Sequence, residues 1–316
     1  MRLVDGKCPD GDVLSEGTGE RITGERITGV QVIEELSEGM EVSLSIPLDE
    51  NTDVNEIQVE DDPMSYRVNI SIPTKEQNFY YKNELSGSQK GITGIVYNYN
   101  DRMARFEVNT DGYYISSVYF KDDMLNLVLE TPKEKYGHVY VLDPVCGGEE
   151  NGSSAYGVLE KDITLKVSEA VMKSAETVED EGFFATRRED KDVSEEDRVG
   201  YNTILKPDIF IRLRVNADSD TRMTNGISAT AGSPALKEVA EVMIAAIAAE
   251  TGQVNKGVTL KGDAAGVETN GIEIELGYIT NKAEALNMSS DEYAAKFGQV
   301  MYYLLSDTEE AEKTQN

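Results

Sequence analysis

Two side chains of types that bind metals lie close together between His138 and Lys161. Cys146 belongs to the segment DPVCGG, which follows the apolar run HVYVL, and Glu160 comes shortly afterwards. The apolar run predicts a buried strand, the Pro and Gly residues predict a turn at its carboxyl end, and Glu160 is expected to begin a helix. We therefore expect a thiol and a carboxylate near the mouth of a sheet.

More polar candidates follow on two further apolar runs. The run DIFIRLRV, residues 208–215, predicts a strand that carries Arg214 and ends beside Asn216. The run GIEIELGYI, residues 271–279, predicts another strand and carries Glu275. His138 is the only histidine of the chain, and its place at the start of the first strand predicts a surface or edge residue.

The second half of the chain alternates between strand and helix patterns. Apolar residues at helical spacing predict three helices. The first follows Glu160, the second runs from Leu236 and ends at Gly252, and the last extends from Tyr293 to Leu304. Strands are expected between these helices, at 183–187, 208–215 and 271–279. This order predicts an α/β domain over residues 136–308, with helices on both faces of a sheet.

The first half has a different pattern. Residues 30–135 contain short alternating runs rich in Val, Ile and Tyr, separated by Asp, Asn, Gly and Pro. Such runs predict an antiparallel all-β domain, which we expect to be sandwich-like. Residues 1–29, which contain the tandem repeat ERITG-ERITG, are expected to form a flexible tail, as are residues 309–316.

Composition excludes several classes of partner. The 316 residues carry a net charge of −29, whereas nucleic-acid affinity comes mainly from Lys and Arg that neutralise phosphates. We expect no nucleic-acid partner and no binding to anionic membranes. The sequence contains no apolar run of the length that spans a bilayer, about 18 residues or more. The first residues, MRLVDGKCPDGD, lack the apolar region of a signal peptide.

The turn and the helix start resemble those of the zinc-dependent N-acetylmuramoyl-L-alanine amidases of the bacterial cell wall. In that family the first strand ends in D-P-G-H-G-G and the next helix begins with E-K-D, where this chain has DPVCGG and Glu160-Lys161-Asp162. Further landmarks follow in the family's order: Thr186-Arg187 with Asp190, Arg198 with Asn202, PDIFI at 207–211, ELGYI at 275–279, Asn281-Lys282 and Glu284-Ala285. The resemblance implies a three-layer amidase-like domain with a mostly parallel sheet.

The resemblance also implies a zinc site, and here the chain departs from the pattern. The ligand positions of the family correspond to Cys146, Glu160 and Arg214, and the position of the general base corresponds to Glu275. Both zinc-binding histidines are therefore replaced. A guanidinium has no lone pair to offer a metal, so the expectation is that the protein holds no zinc.

The roles of both altered residues, Arg214 and Cys146, stay open. Arg214 either bridges Glu160 and Glu275 through its fork of donors, in place of the metal charge, or turns to solvent. Cys146 is an inert residue of the turn, a metal or redox ligand, or a nucleophile that lacks a nearby histidine base. We adopt the bridging arginine and the inert cysteine as hypotheses, with Arg198, Arg214 and Asn216 as binding residues.

The resemblance leads to three hypotheses of function. In the first, the chain is a catalytically inactive amidase homologue that binds peptidoglycan or a cell-envelope partner protein. In the second, it is an active amidase that cleaves the muramoyl-L-alanine bond with a variant zinc site. The third is a purely structural scaffold. The β domain is similar in pattern to the wall-targeting modules of some amidases, and the resemblance places the protein outside the cell or in the cell envelope.

Overall fold

The computed structural model describes residues 4–5, 27–28, 30–37, 39–62, 65–175 and 181–305. The chain divides into two compact units, residues 1–135 and residues 136–316. None of the helices in the described ranges is both long and apolar enough to cross a membrane.

The first unit is built mainly of strands. Its elements in chain order are β1 (Val4–Asp5), β2 (Ile27–Thr28), β3 (Gln31–Val32), β4 (Leu44–Pro47), β5 (Gln58–Asp62), β6 (Arg67–Pro73), α1 (Phe79–Lys82), β7 (Ile92–Asn100), β8 (Met103–Thr110), β9 (Ile115–Lys121), β10 (Met124–Glu130) and α2 (Pro132–Lys135). A six-stranded sheet has the order β1-β7-β8-β6-β5-β2, and a four-stranded sheet has the order β3-β9-β10-β4. The long neighbouring strands pair antiparallel, as the alternating runs predicted.

One apolar core joins the two sheets of this unit. Ile70 and Phe106 contribute to it from the larger sheet, and Leu44 and Leu127 from the smaller one. Strand β6 shows why the sequence folds this way, because its residues alternate between buried and half-buried positions along its whole length. The prediction of an antiparallel all-β region is confirmed.

The segment predicted to be a flexible tail is described at two dipeptides only. There the structure has strands, since β1 pairs in parallel with β7 and β2 pairs in parallel with β5. Both lie at edges of the larger sheet, where a short segment finds unpaired backbone groups. The rest of residues 1–29 and the predicted tail 309–316 lie outside the described residues.

The second unit is a mixed sheet with helices. Its elements are β11 (His138–Pro144), β12 (Ser154–Ala155), β13 (Val158–Leu159), α3 (Glu160–Ala175), β14 (Glu181–Ala185), α4 (Glu195–Leu205), β15 (Ile209–Asn216), β16 (Ile227–Ala231), α5 (Pro234–Thr251), β17 (Asn255–Leu260), β18 (Gly271–Tyr278), α6 (Lys282–Met288) and α7 (Asp291–Leu305). The sheet order is β14-β11-β15-β18-β16-β17. The first four strands are parallel, and β16 runs antiparallel to β18.

The two faces of this sheet differ in polarity. Ile211 and Leu213 of β15 and Ile274 of β18 lie in an apolar core that also contains residues of α3, α5 and α7. The intervening residues of the same strands are Arg212, Arg214, Glu273 and Glu275, and alternation places them on the opposite face. Helix α4 packs on that polar face through Arg198 and Glu195. The predicted α/β fold with a mostly parallel sheet is confirmed.

The close approach of α3 and α7 depends on a glycine. A Cβ atom at Gly298 of α7 would lie 2.6 Å from the carbonyl oxygen of Ala170 in α3, whereas a Cβ at Gly200 of α4 meets nothing within 4 Å. We expect Gly298→Ala to lower the free energy of unfolding by about 1–3 kcal/mol, because the added methyl overpacks the interface. The matched variant Gly200→Ala should raise it by about 0.5–1 kcal/mol through helix propensity.

Urea titrations followed by circular dichroism measure both changes. If Gly298→Ala were as stable as Gly200→Ala, the two helices would not be packed as closely as the structure has them.

Candidate functional site

The polar face is organised around one buried carboxylate, that of Asp143 at the end of β11. Asp143 is fully buried. Its Oδ1 accepts from Arg198 Nη1 at 2.9 Å and its Oδ2 accepts from Arg212 Nε at 2.6 Å. Thr186 Oγ1 donates to Oδ1 at 2.7 Å. One carboxylate therefore fixes side chains from α4, β15 and the segment after β14.

Two buried arginines also hold the turn that contains Cys146. Arg198 donates to the carbonyl oxygens of Pro144 and Cys146 at 2.9 and 2.7 Å. Arg187 donates to the carbonyls of Pro144 and Val145 at 2.9 and 3.1 Å. Arg198 is nearly fully buried and its donors are engaged in this way. Its contacts hold the turn in place and leave it little capacity for a ligand, although it was predicted as a binding residue.

The turn is also fixed from its outer side. The backbone N–H of Gly148 donates to the Asp190 carboxylate at 2.7 Å. Lys161 Nζ donates to the same carboxylate at 2.9 Å and to the Gly148 carbonyl oxygen at 2.7 Å. Cys146 has φ +63° and Gly147 has φ +135°, so the backbone bends sharply at these two residues. The predicted turn therefore has a single, tightly held conformation.

Glu160, at the first position of α3, is buried and bonded to backbone. Its Oε1 accepts from the Val215 N–H at 2.9 Å and its Oε2 accepts from the Ser153 N–H at 2.8 Å. These two bonds connect the start of α3 to the end of β15 and to the loop after the turn. Glu160 lies where the sequence predicted it, and it is held as a structural carboxylate.

Cys146 is buried beside Glu160. A Cβ atom at Gly152 would lie 2.7 Å from its Sγ and 2.6 Å from Oε2 of Glu160, so only glycine fits between them. Burial raises the pKa of the Cys146 thiol to about 11, and the charges of Glu160 and Glu150 add to the rise. The thiol is therefore protonated at neutral pH.

A cavity of about 440 Å³ connects these groups on the polar face. Cys146, Glu160, Arg198 and Arg214 all line it, so the structure brings together four of the six residues predicted for the site. Glu275 and Asn216 are not part of its lining. Glu275 accepts from Ser228 Oγ at 2.8 Å on the neighbouring part of the sheet. Asn216 accepts from the Ala217 N–H at 2.8 Å, at the end of β15.

The bridge expected between Arg214 and the two glutamates is not the contact that the structure shows. Among the described residues, the ion pair of Arg214 is with Glu273, at 3.6 Å, and the Arg214 side chain is 51% exposed. Glu160 is already engaged by backbone donors and Glu275 by Ser228. The bridging hypothesis was wrong because these carboxylates are satisfied locally. His138 lies at the exposed start of β11, as predicted.

Sequence reasoning missed the two residues that form the centre of the site, Asp143 and Arg212. Arg212 pairs with Glu195 at 2.8 Å in addition to Asp143. One signal was present in the run DIFIRLRV, because strand alternation puts residues 212 and 214 on the same face. That two arginines share Asp143 depends on α4 reaching the end of β11, which is a tertiary contact.

The family of the chain follows from comparison with known sequences. The family model described as N-acetylmuramoyl-L-alanine amidase matches residues 140–305, just over half of the chain. The chain belongs to the N-acetylmuramoyl-L-alanine amidase family. The match covers the Cys146 turn, Glu160, both strand arginines and Glu275, so the site lies within the matched region.

The chain is also similar to an individual relative and to solved structures. This amidase-family chain is 26% identical over 172 residues to an uncharacterized protein of Bacillus subtilis, YqiI, which corresponds to 51% of this chain and 79% of the relative. It resembles the solved catalytic domain of the amidase CwlV from Bacillus (Paenibacillus) polymyxa, with a TM-score of 0.50 and 20% identity over 54% of this chain and 96% of that one. A solved amidase from Clostridium difficile gives a TM-score of 0.49 and 20% identity, over 54% of this chain and 98% of that one.

The residues at the ligand positions of this family member do not fit zinc. A catalytic zinc needs three protein ligands and an open position. Here Arg214 has no lone pair, and both oxygens of Glu160 accept backbone N–H groups. No group of three His, Cys, Asp or Glu side chains with the geometry of a metal site occurs in the part of the chain that the structure describes.

Removal of the Asp143 charge tests the centre of the site. We expect Asp143→Asn to lower the free energy of unfolding of the α/β unit by about 3–5 kcal/mol, because Arg198 and Arg212 would stay buried without their shared anion. The exposed pair of Glu241 with Lys237 on α5 provides the control Glu241→Gln, whose effect should be far smaller. Equal losses in urea titration of the two variants would contradict the central role of Asp143.

The raised pKa of Cys146 predicts slow alkylation. In a Cys8→Ser background, we expect iodoacetamide to modify native Cys146 with half-maximal rate near pH 11, the value to which burial and the two glutamates raise the pKa. An unperturbed thiol reaches that point near pH 8.5. Mass spectrometry of samples quenched over pH 7–11 gives the profile, and the urea-unfolded chain is the control. A native profile that matches the unfolded one would show an exposed, unperturbed thiol.

Proposed function

We propose that this protein is a non-catalytic member of the N-acetylmuramoyl-L-alanine amidase family that binds peptidoglycan through the cavity on the polar face of its α/β unit. The observation that carries the proposal is Arg214 at the third ligand position. A guanidinium keeps its proton at every relevant pH and cannot coordinate a metal, so zinc-activated water has no place to form.

The surroundings of Arg214 support the loss of catalysis. In the amidase family a glutamate at the position of Glu275 acts on a metal-bound water. Here Glu275 is hydrogen-bonded to Ser228 and lies outside the cavity that contains Cys146 and Glu160. The thiol of Cys146, protonated at neutral pH, has no histidine partner, because His138 lies at the exposed start of β11. Neither residue has the partners that hydrolysis of an amide requires.

The surrounding framework supports binding. The turn at Cys146 is held by Arg187 and Arg198, and the end of β15 is held by Glu160. The polar face beside these elements carries exposed or half-exposed hydrogen-bonding groups from Arg214, Glu275 and Ser228. A polar cavity held in this way is suited to a glycopeptide ligand, since preorganised groups lose little entropy on binding. We propose the cell envelope as the place of action.

Two measurements on the purified full chain test the proposal. After dialysis against zinc and then buffer, elemental analysis should find close to zero zinc per chain. Purified sacculi should retain the chain in sedimentation assays, and no peptide should be released from them, with or without added zinc. An unrelated protein of similar acidity controls for non-specific retention.

The opposite outcomes separate the proposal from its competitors. One zinc per chain together with peptide release that is lost in Glu275→Gln would establish an active amidase. Absence of sacculus binding together with absence of zinc would contradict peptidoglycan binding and point to a scaffold or to an envelope protein as the partner.

A further inference from the structure

The cavity on the polar face has an uneven balance of charge. Two buried guanidiniums, those of Arg198 and Arg212, face a single fully buried carboxylate, Asp143. The second anionic partner of Arg212 is Glu195, whose side chain is 63% exposed. Burial lowers the pKa of Arg212, but the charges and hydrogen bonds of Asp143 and Glu195 outweigh it and raise the pKa overall. Arg212 therefore stays charged and bonded on this side.

The other carboxylates near the cavity have partners of their own. Glu160 uses both oxygens for the backbone N–H groups of Ser153 and Val215. Glu273, the partner of Arg214, is 3.6 Å away, a longer contact than the 2.6–2.9 Å of the pairs around Asp143. Arg212 therefore has Asp143 and Glu195 as hydrogen-bonded anions, whereas the ion pair of Arg214 with Glu273 is a longer contact.

Arg212 also has a donor without an acceptor. Its side chain is 9% exposed, and within the described residues its Nη2 is buried and has no hydrogen-bond partner. Nearly all buried N–H donors in folded proteins are paired, because an unpaired donor loses its hydrogen bonds to water without replacement. Arg212 lines the cavity, so an acceptor that enters from the cavity is the group that can pair with it.

Arg214 is placed to act with Arg212. The two residues are separated by one position on β15 and lie on the same face, which puts their Cα atoms about 6.6 Å apart. Arg214 is half exposed, so its guanidinium can reorient without breaking the buried pairs of Asp143. A planar group with two oxygens can then accept from both guanidiniums.

We propose that Arg212 and Arg214 form a carboxylate-binding site, and that it receives a free carboxylate of a peptide carried by peptidoglycan. The identity of the peptide rests on the proposed function, whereas the carboxylate site rests on the arginines alone. Glu150 and Glu160 also line the cavity, and their negative charges disfavour a doubly charged phosphate. They suit a ligand whose remaining groups are neutral or cationic.

The experiment is a calorimetric titration of the full chain with two probes. One is N-acetyl-L-alanyl-D-isoglutamine, which has a single free carboxylate, and the other is the same peptide with that carboxylate amidated. The free acid should bind and the amide should not. Arg214→Gln should weaken binding of the acid about tenfold, the scale of a charged hydrogen bond. Arg105→Gln, a change at an exposed strand arginine of the β unit, should leave it unchanged.

Arg212→Met removes the unpaired donor and leaves Asp143 with Arg198, and it should abolish binding of the acid if the variant folds. If Arg212→Met does not fold, Arg214→Gln still tests the proposal, because Arg214 is half exposed and its removal leaves the buried pairs intact. Equal affinity for acid and amide, tighter binding of inorganic phosphate than of the acid, or full affinity in Arg214→Gln would each overturn the carboxylate site.

Sacculus sedimentation in parallel separates this proposal from the proposed function. Sacculi that retain the chain without discrimination between acid and amide would refute only the carboxylate site. Discrimination between the peptides without retention by sacculi would support the carboxylate site and refute peptidoglycan as the source of its ligand. Loss of both would refute both.

Discussion

The α/β unit depends on the carboxylate of Asp143. It is fully buried at the end of a central strand and accepts hydrogen bonds from two arginines and a threonine that come from three different elements. Burial of these charges costs solvation, and only the close pairing offsets that cost. Because Arg198 also holds the carbonyl groups of the Cys146 turn, the geometry of the turn depends on the same interaction.

Asp143 and its two arginines lie beside the positions that the resemblance to the amidases gives for zinc ligands. The ligand positions of the family are occupied by a protonated thiol, a carboxylate bonded to backbone and a guanidinium. Positive charge is supplied by arginine side chains on β15, one of which is paired with Asp143. Such charge is permanent and fixed in place, so it can attract and orient an anion even in a chain with a net charge of −29. It cannot supply the open coordination position or the acidified water of a metal centre.

Much of the fold was predictable because local patterns decide it. Strand alternation in the β unit, the start of α3 at Glu160 and the apolar runs of β11, β15 and β18 all depend on residues that are close in sequence. The order of motifs along the chain identified the family, and the family model over residues 140–305 agrees. Strands β5, β16 and β17 were not predicted. QVEDD in β5 is mostly polar, and NKGVTL in β17 forms a largely exposed edge strand.

The sequence by itself determined which side chains are available, and it has Cys146 and Arg214 at the two positions where the resemblance implies zinc-binding histidines. Only the tertiary structure decided their partners. Arg214 was expected to join Glu160 and Glu275, but backbone N–H groups brought close by the fold engage Glu160, and Ser228 from an antiparallel strand engages Glu275. Hydrogen-bond partners of buried charges come from residues distant in sequence, 69 positions apart for Arg212 and Asp143. A pattern along the chain carries no information about such distances, because packing sets them.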